Sequence, residues 1–184
     1  TDSTSGPAVA AGATGTLIDL LVKEGKVEEA GNQLDRYRGA LVVDEYLRLR
    51  RAVAARWAQG GDLARAEEML AADSSVEALA LTGRFRLYAG DLKAASDQWK
   101  TAGAFAGTRE ESTERAQLLA LIQPIQEDSL PALGEALRLL DAGDSLKAAA
   151  AFARVGTDLP PDGGRAELLH YGQAAADDGS VIAP

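Results

Sequence analysis

The stretch GDLKAASDQW, residues 90–99, has three counterparts in the chain. GKVEEAGNQL (25–34), GDLARAEEML (61–70) and GDSLKAAAAF (143–152) align with it without gaps. Each opens on Gly, carries Ala five places later (Ala30, Ala66, Ala95, Ala148) and ends on a large apolar residue (Leu34, Leu70, Trp99, Phe152). Three of the four place Asp directly after the Gly. This is the chemistry of one helix ending and another beginning. Gly accepts the left-handed backbone that closes a helix, and Asp caps the next one. The small Ala lets two helices approach closely, and the large residue one turn later fills the space between them.

Outward from these turns the pattern stays helical. Leu81, Phe85, Tyr88 and Leu92 recur three and four residues apart, and sustained two-residue alternation is absent. Ala, Leu, Glu, Arg and Gln, all good helix formers, supply most of the chain. The turn glycines at 25, 61, 90 and 143 are unevenly spaced. The last interval has room for an additional helix over 110–123, stopped by Pro124. A final helix over about 165–177 closes the set. The expectation is an all-α chain of about ten helices.

The recurring frame resembles the second half of the tetratricopeptide repeat, a unit of about 34 residues built as two antiparallel helices. Residues 76–102 carry the resemblance best. Gly83 stands at the family's inter-helix Gly, Gly90 and Asp91 at its turn, Ala95 at the small contact and Trp99 at the large aromatic. Leu79 stands where the family prefers Trp, Ala102 matches the small residue that follows, and Arg86 departs from the usual Tyr. Ile18, Ala54 and Ala136 replace the inter-helix Gly in the other copies.

The resemblance covers roughly residues 14–178 and implies a right-handed superhelical array of antiparallel helix pairs. In such an array the first helix of each pair lines a groove that holds a partner peptide. Carried over from the turn glycines, the groove face takes Asp19 and Lys23 from the first copy, Arg48 and Arg51 from the second, and Glu77, Arg84 and Tyr88 from the third. Arg48, Arg51, Glu77, Arg84 and Tyr88 are the candidate partner-binding residues. Arg48, Arg50, Arg51 and Arg56 cluster in one predicted helix, and arginine suits bidentate capture of carboxylates. An acidic partner segment or a chain terminus is therefore expected. A solvated helix face balanced by Asp44 and Glu45 is the plainer alternative. Asn32 is the single asparagine, which disfavours the asparagine-dependent carboxylate clamp of chaperone-binding family members.

Composition narrows the function classes. Nineteen Lys and Arg stand against 28 Asp and Glu, a net charge of −9. That surface repels phosphate backbones, so nucleic acid is not an expected partner. The longest apolar run, 148–153, is far too short to span a membrane. There is no Cys, which removes disulfides and thiolate chemistry. His170 is the single histidine, so histidine triads and multi-histidine metal sites are excluded. Gly103 and Gly107 flank Ala-Phe-Ala and lack the Gly-Lys-Ser/Thr of a phosphate loop. Glu28 with Glu29, Glu67 with Glu68, and Glu110 with Glu111 fall near predicted helix starts, where they complement the dipole. Asp141, Asp144 and Ser145 lack the spacing of a calcium loop. Trp57 and Trp99 read as core.

No cofactor, metal or catalytic set is expected. The organisation expected is a flexible tether over 1–13, a repeat domain with closing helix over 14–178, and a tail over 179–184. The small, Gly-rich opening suits a tether behind a removed signal or anchor, which points to a bacterial periplasmic or otherwise exported protein, with a cytoplasmic one as the alternative. The leading expectation is a protein-interaction scaffold, an accessory or assembly factor of a bacterial complex. A subunit permanently built into a larger membrane-associated assembly comes second, and a helical-toroid enzyme third.

Overall fold

In the computed structural model, which describes residues 5–182 and the side chains of residues 12–177, the chain is helical throughout. Ten helices occur among the described residues: α1 (Ser5–Lys23), α2 (Val27–Arg36), α3 (Val43–Gln59), α4 (Leu63–Leu70), α5 (Val76–Tyr88), α6 (Leu92–Ala102), α7 (Arg109–Ile122), α8 (Pro131–Asp141), α9 (Ser145–Asp158) and α10 (Arg165–Ile182). The described residues contain no strand, only an isolated antiparallel bridge between Asp91 and Ser129.

The four aligned turns are built alike. Gly25, Gly61, Gly90 and Gly143 all have positive φ, between 75° and 95°. Each donates its N–H three residues back, to Val22, Ala58, Leu87 and Leu140. The next residue donates five back, to Leu21, Trp57, Arg86 and Leu139. These paired bonds satisfy the last carbonyls of the outgoing helix, as a Schellman motif does. Asp62, Asp91 and Asp144 then accept the backbone N–H of Arg65, Ala94 and Lys147, capping the incoming helix. Lys26, which replaces Asp in the first copy, makes no such cap. Ala30, Ala66, Ala95 and Ala148 are fully buried, and Leu34, Leu70, Trp99 and Phe152 nearly so. Ile18, Ala54 and Ala136 are also fully buried.

The chain divides into two compact units, Thr1–Asp73 and Ser74–Pro184, where the sequence reading places one repeat domain. In the first unit α1 pairs with α2 and α3 with α4, and α3 packs on both α1 and α2. Its core gathers Ile18, Leu34, Leu49 and Val53, with Trp57 and Met69 against it. The stretch 1–13, read from composition as a tether, is helical from Ser5 onward, and residues 1–4 lie outside the described residues. Ala8, Ala10, Ala11 and Ala13 favour helix, and Pro7 falls in the first turn, where its missing N–H costs no bond. Residues 179–182 of the expected tail belong to α10, and 183–184 lie outside the described residues.

In the second unit α5 pairs with α6, α8 with α9, and α9 with α10. At Gly83 the indole of Trp99 lies where a side chain would be. An added Cβ would fall 2.4 Å from the ring. α8 begins against the end of α5: a Cβ at Gly134 would lie 2.5 Å from the Tyr88 carbonyl oxygen, and one at Gly90 2.4 Å from Pro131 Cα. The segment before α8 is tied to the same turn, Leu130 N–H donating to Gly90 at 2.7 Å and Leu92 N–H to Asp128 at 3.0 Å. From there α8 runs back along α5, so that Asp141 at its far end meets Arg84.

Candidate functional site

The candidate residues fall in both units. In the first, Asp19 of α1 and Arg48 of α3 meet. Arg48 forks between two carboxylates, donating to both Asp19 oxygens at 3.1 and 2.8 Å and to both Glu45 oxygens at 2.8 and 2.7 Å. Its hydrogen bonds hold the Glu45 carboxyl below the ordinary glutamate value, against the opposing effect of burial. Arg51 donates to Asp73 at 2.9 Å, and the Asp73 side chain is only 2% exposed. Arg56 donates to Gln59 and packs its guanidinium beneath Gly25. Arg65 stacks over Trp57, 4.2 Å from the ring centre, covering the exposed flank of that residue.

In the second unit Glu77 sits half-buried in the first turn of α5. Arg84 and Tyr88, one turn apart on the same helix, converge on Asp141 of α8, each donating to the same carboxylate oxygen. Arg84 also meets Glu114 of α7 at 2.7 Å. Burial pulls the Arg84 guanidinium down, but the Glu114 hydrogen bond and the Asp141 charge outweigh it and leave the net shift upward. Burial, and then the Asp141 charge, push the Tyr88 phenol up, so its hydroxyl keeps its proton and donates. Burial also raises the Tyr171 phenol on α10, helped by the charge of Glu114.

The unliganded cationic surface implied by counting arginines is therefore not what forms. Arg48, Arg51 and Arg84 are each engaged by carboxylates of their own unit. Glu45 lies three residues before Arg48 on α3, as the plainer reading of a balanced helix face had it, but Asp19, Asp73, Glu114 and Asp141 lie outside the arginine's own helix, so those pairings are invisible to a single-helix reading.

A second feature escapes the sequence reading. The turn Gly103-Ala-Phe-Ala-Gly107 leads from α6 to α7, and both its glycines have positive φ. Arg115 of α7 is buried, and one of its terminal nitrogens donates to the carbonyls of Gly103, Ala104 and Ala106 at 3.3, 3.2 and 2.9 Å. Ser112 donates to the Ala106 carbonyl as well. A capping box between Thr108 and Glu111 holds the start of α7. Ala106 is thereby drawn inside while Phe105 stands 95% exposed at the tip. The available signal was an apolar aromatic between two glycines, which sequence reasoning used only to reject a phosphate loop.

His170 is exposed on α10. Among the described residues no three His, Cys, Asp or Glu side chains are grouped to hold a metal ion. No helix of the described residues is long and apolar enough to cross a membrane. Comparison with family models, curated proteins and solved structures gives no match.

Proposed function

We propose that the chain is a protein-interaction scaffold whose helix pairs belong to a right-handed superhelical array of the tetratricopeptide kind. The observation that carries this reading is Phe105. A fully solvated phenyl ring gains nothing for folding, yet a buried arginine and two left-handed glycines hold the turn that carries it. Large aromatics are the residues that dominate protein interfaces, and a backbone ordered before binding loses little freedom on docking. The four identically built turns support the repeat-array part of the proposal.

The role that fits is an accessory or assembly factor of a bacterial complex, exported to the periplasm, with a protein or peptide as partner. Affinity capture from the source organism, read by mass spectrometry, tests it. The parent chain should retain a reproducible partner that Phe105→Ser loses while melting like the parent. Equal capture by both would remove Phe105 from the argument.

A permanent subunit of a larger assembly is the second reading. The first unit exposes Leu17 and Leu20 on α1, and Val42 and Val43 at the start of α3. Apolar surface of that kind favours an obligate contact if it is continuous. Aggregation of the isolated chain, relieved by Val42→Lys/Val43→Lys, would favour this reading over the first.

A further inference from the structure

We propose that α7 is the resident occupant of a helix-binding site made by Arg84 and Tyr88 of α5 with Asp141 of α8, and that an acidic amphipathic helix of a partner protein exchanges with it. The inference rests on the interaction reading above and names the kind of partner.

Three observations lead there. First, the residues assigned to partner binding in the third copy are already met by an acidic helical segment, which is the chain's own. Glu114 of α7 pairs with Arg84 at 2.7 Å. The contact lies at the edge of the site, since Glu114 is 45% exposed while Arg84 is 18% exposed. An exposed carboxylate on a mostly buried guanidinium is a contact that another carboxylate could replace without burying a bare charge.

Second, α7 buries one face, through Arg115, Leu118, Leu121 and Ile122, as a groove-bound helix does. Glu110, Glu111 and Glu114 occupy its first half, while Leu118, Leu121 and Ile122 are buried in its second. The motif presented is a carboxylate followed four and seven residues later by Leu. A cleft of about 740 Å³ runs along the Arg109, Thr113, Glu114 and Gln117 flank, so this side of the helix borders open space.

Third, α7 is bounded as a separate piece. Like α10 it lies outside the four-turn frame, with the glycine turn 103–107 before it and Pro124 after it. Its capping box is internal, between Thr108 and Glu111, so its first turn stays capped when the helix leaves. The remaining helices of the unit pair through α5 with α6 and α8, and α9 with α8 and α10, independently of α7.

A partner helix then competes with a tethered one. Its apparent affinity is reduced by the fraction of chains in which α7 is released, and any change that frees α7 restores it.

The test uses the full chain and a labelled synthetic peptide of residues 107–124. Glu114→Arg sets like charges against Arg84 and should release α7, while Glu114→Asp, which keeps the charge and leaves Arg84 on Asp141, should not. In hydrogen exchange read by mass spectrometry, Glu114→Arg should speed the amides of α7 at least tenfold and leave those of α5, α8 and α9 unchanged. The peptide should bind Glu114→Arg at least tenfold more tightly than the parent or Glu114→Asp. Should Glu114→Arg fail to fold, Glu114→Gln is read the same way with a smaller exchange effect.

Exchange that rises together in every helix of the unit would make α7 an ordinary core helix and overturn the proposal. Selective release without peptide binding would also overturn it, because the vacated surface would then be no helix receptor. Neither result touches the Phe105 capture experiment, which decides the broader reading on its own.

Discussion

Gly83→Ala should destabilise the chain, although the same change elsewhere in a helix should stabilise it. Within α5 the substitution gains about 1 kcal/mol of helix propensity. Against this, the new Cβ would sit 2.4 and 2.5 Å from two atoms of the Trp99 indole. Non-bonded carbons rest near ~3.5–4.0 Å, so the ring must withdraw by about 1 Å or more. Withdrawal breaks the bond from Trp99 Nε1 to the Ala80 carbonyl, now 2.8 Å. Overpacking costs about 1–3 kcal/mol and the lost hydrogen bond about 0.5–1.5 kcal/mol. The net is a loss of about 1–3 kcal/mol, or roughly 2–12 °C in melting temperature for a chain of this size. Gly31→Ala in α2 is the control, because an added Cβ there meets nothing within 4 Å; it should gain up to about 1 kcal/mol. Urea denaturation with tryptophan fluorescence measures both. If Gly83→Ala stabilises as Gly31→Ala does, Trp99 does not pack on Gly83, and the register of the third helix pair is wrong.

The neighbouring plug is tested directly. Trp99→Ala should cost about 3–5 kcal/mol, and Ala95→Leu about 1–3 kcal/mol by forcing the pair apart, both read by thermal melts. Arg115→Met should cost about 1–3 kcal/mol by leaving loop carbonyls unbonded and make residues 103–107 the first site of limited proteolysis. Because Arg48 holds Glu45 below its ordinary value, their contribution is full above that value and fades as pH falls through the lower, folded one. Glu45→Gln should therefore flatten stability against pH below about pH 4.5, by no more than about 1 kcal/mol for so exposed a pair. Arg48→Glu and Arg51→Glu should differ in denaturation. The first should lose at most about 1 kcal/mol, while the second sets a like charge against the buried Asp73 carboxylate and should lose about 3–5 kcal/mol.

The local chemistry of the turns was open to reading because it needs only ten consecutive residues. The left-handed Gly, the Asp cap, the buried Ala and the apolar plug all lie within one helix start, and each does what its residue type dictates. The additional helix was equally open, expected over 110–123 and found as Arg109–Ile122, since Pro124 marks its end. The direction of α8 was hidden. It follows from the clamp of 128–130 onto the Gly90 turn, a contact with no local sequence signal. The tether reading weighed the glycines of the opening above its alanines, and the helix from Ser5 shows the alanines prevailing.

The arginines carry the more general lesson about charge in an acidic chain. With nine more acidic than basic groups, carboxylates are in excess near most guanidinium groups, and folding lets the best placed of them bind first. An acidic partner therefore meets no bare cation at Arg48, Arg51 or Arg84; it must exchange for a carboxylate already there. Exchange of one ion pair for another yields little net electrostatic affinity. Such a surface discriminates by geometry instead: which carboxylate can leave, and what apolar residues follow it. Asp73 cannot leave without burying its charge, and Asp141 is shared with Tyr88. Of the two carboxylates on Arg84, Glu114, half solvated and borne on a separately capped helix, is the one whose replacement costs less.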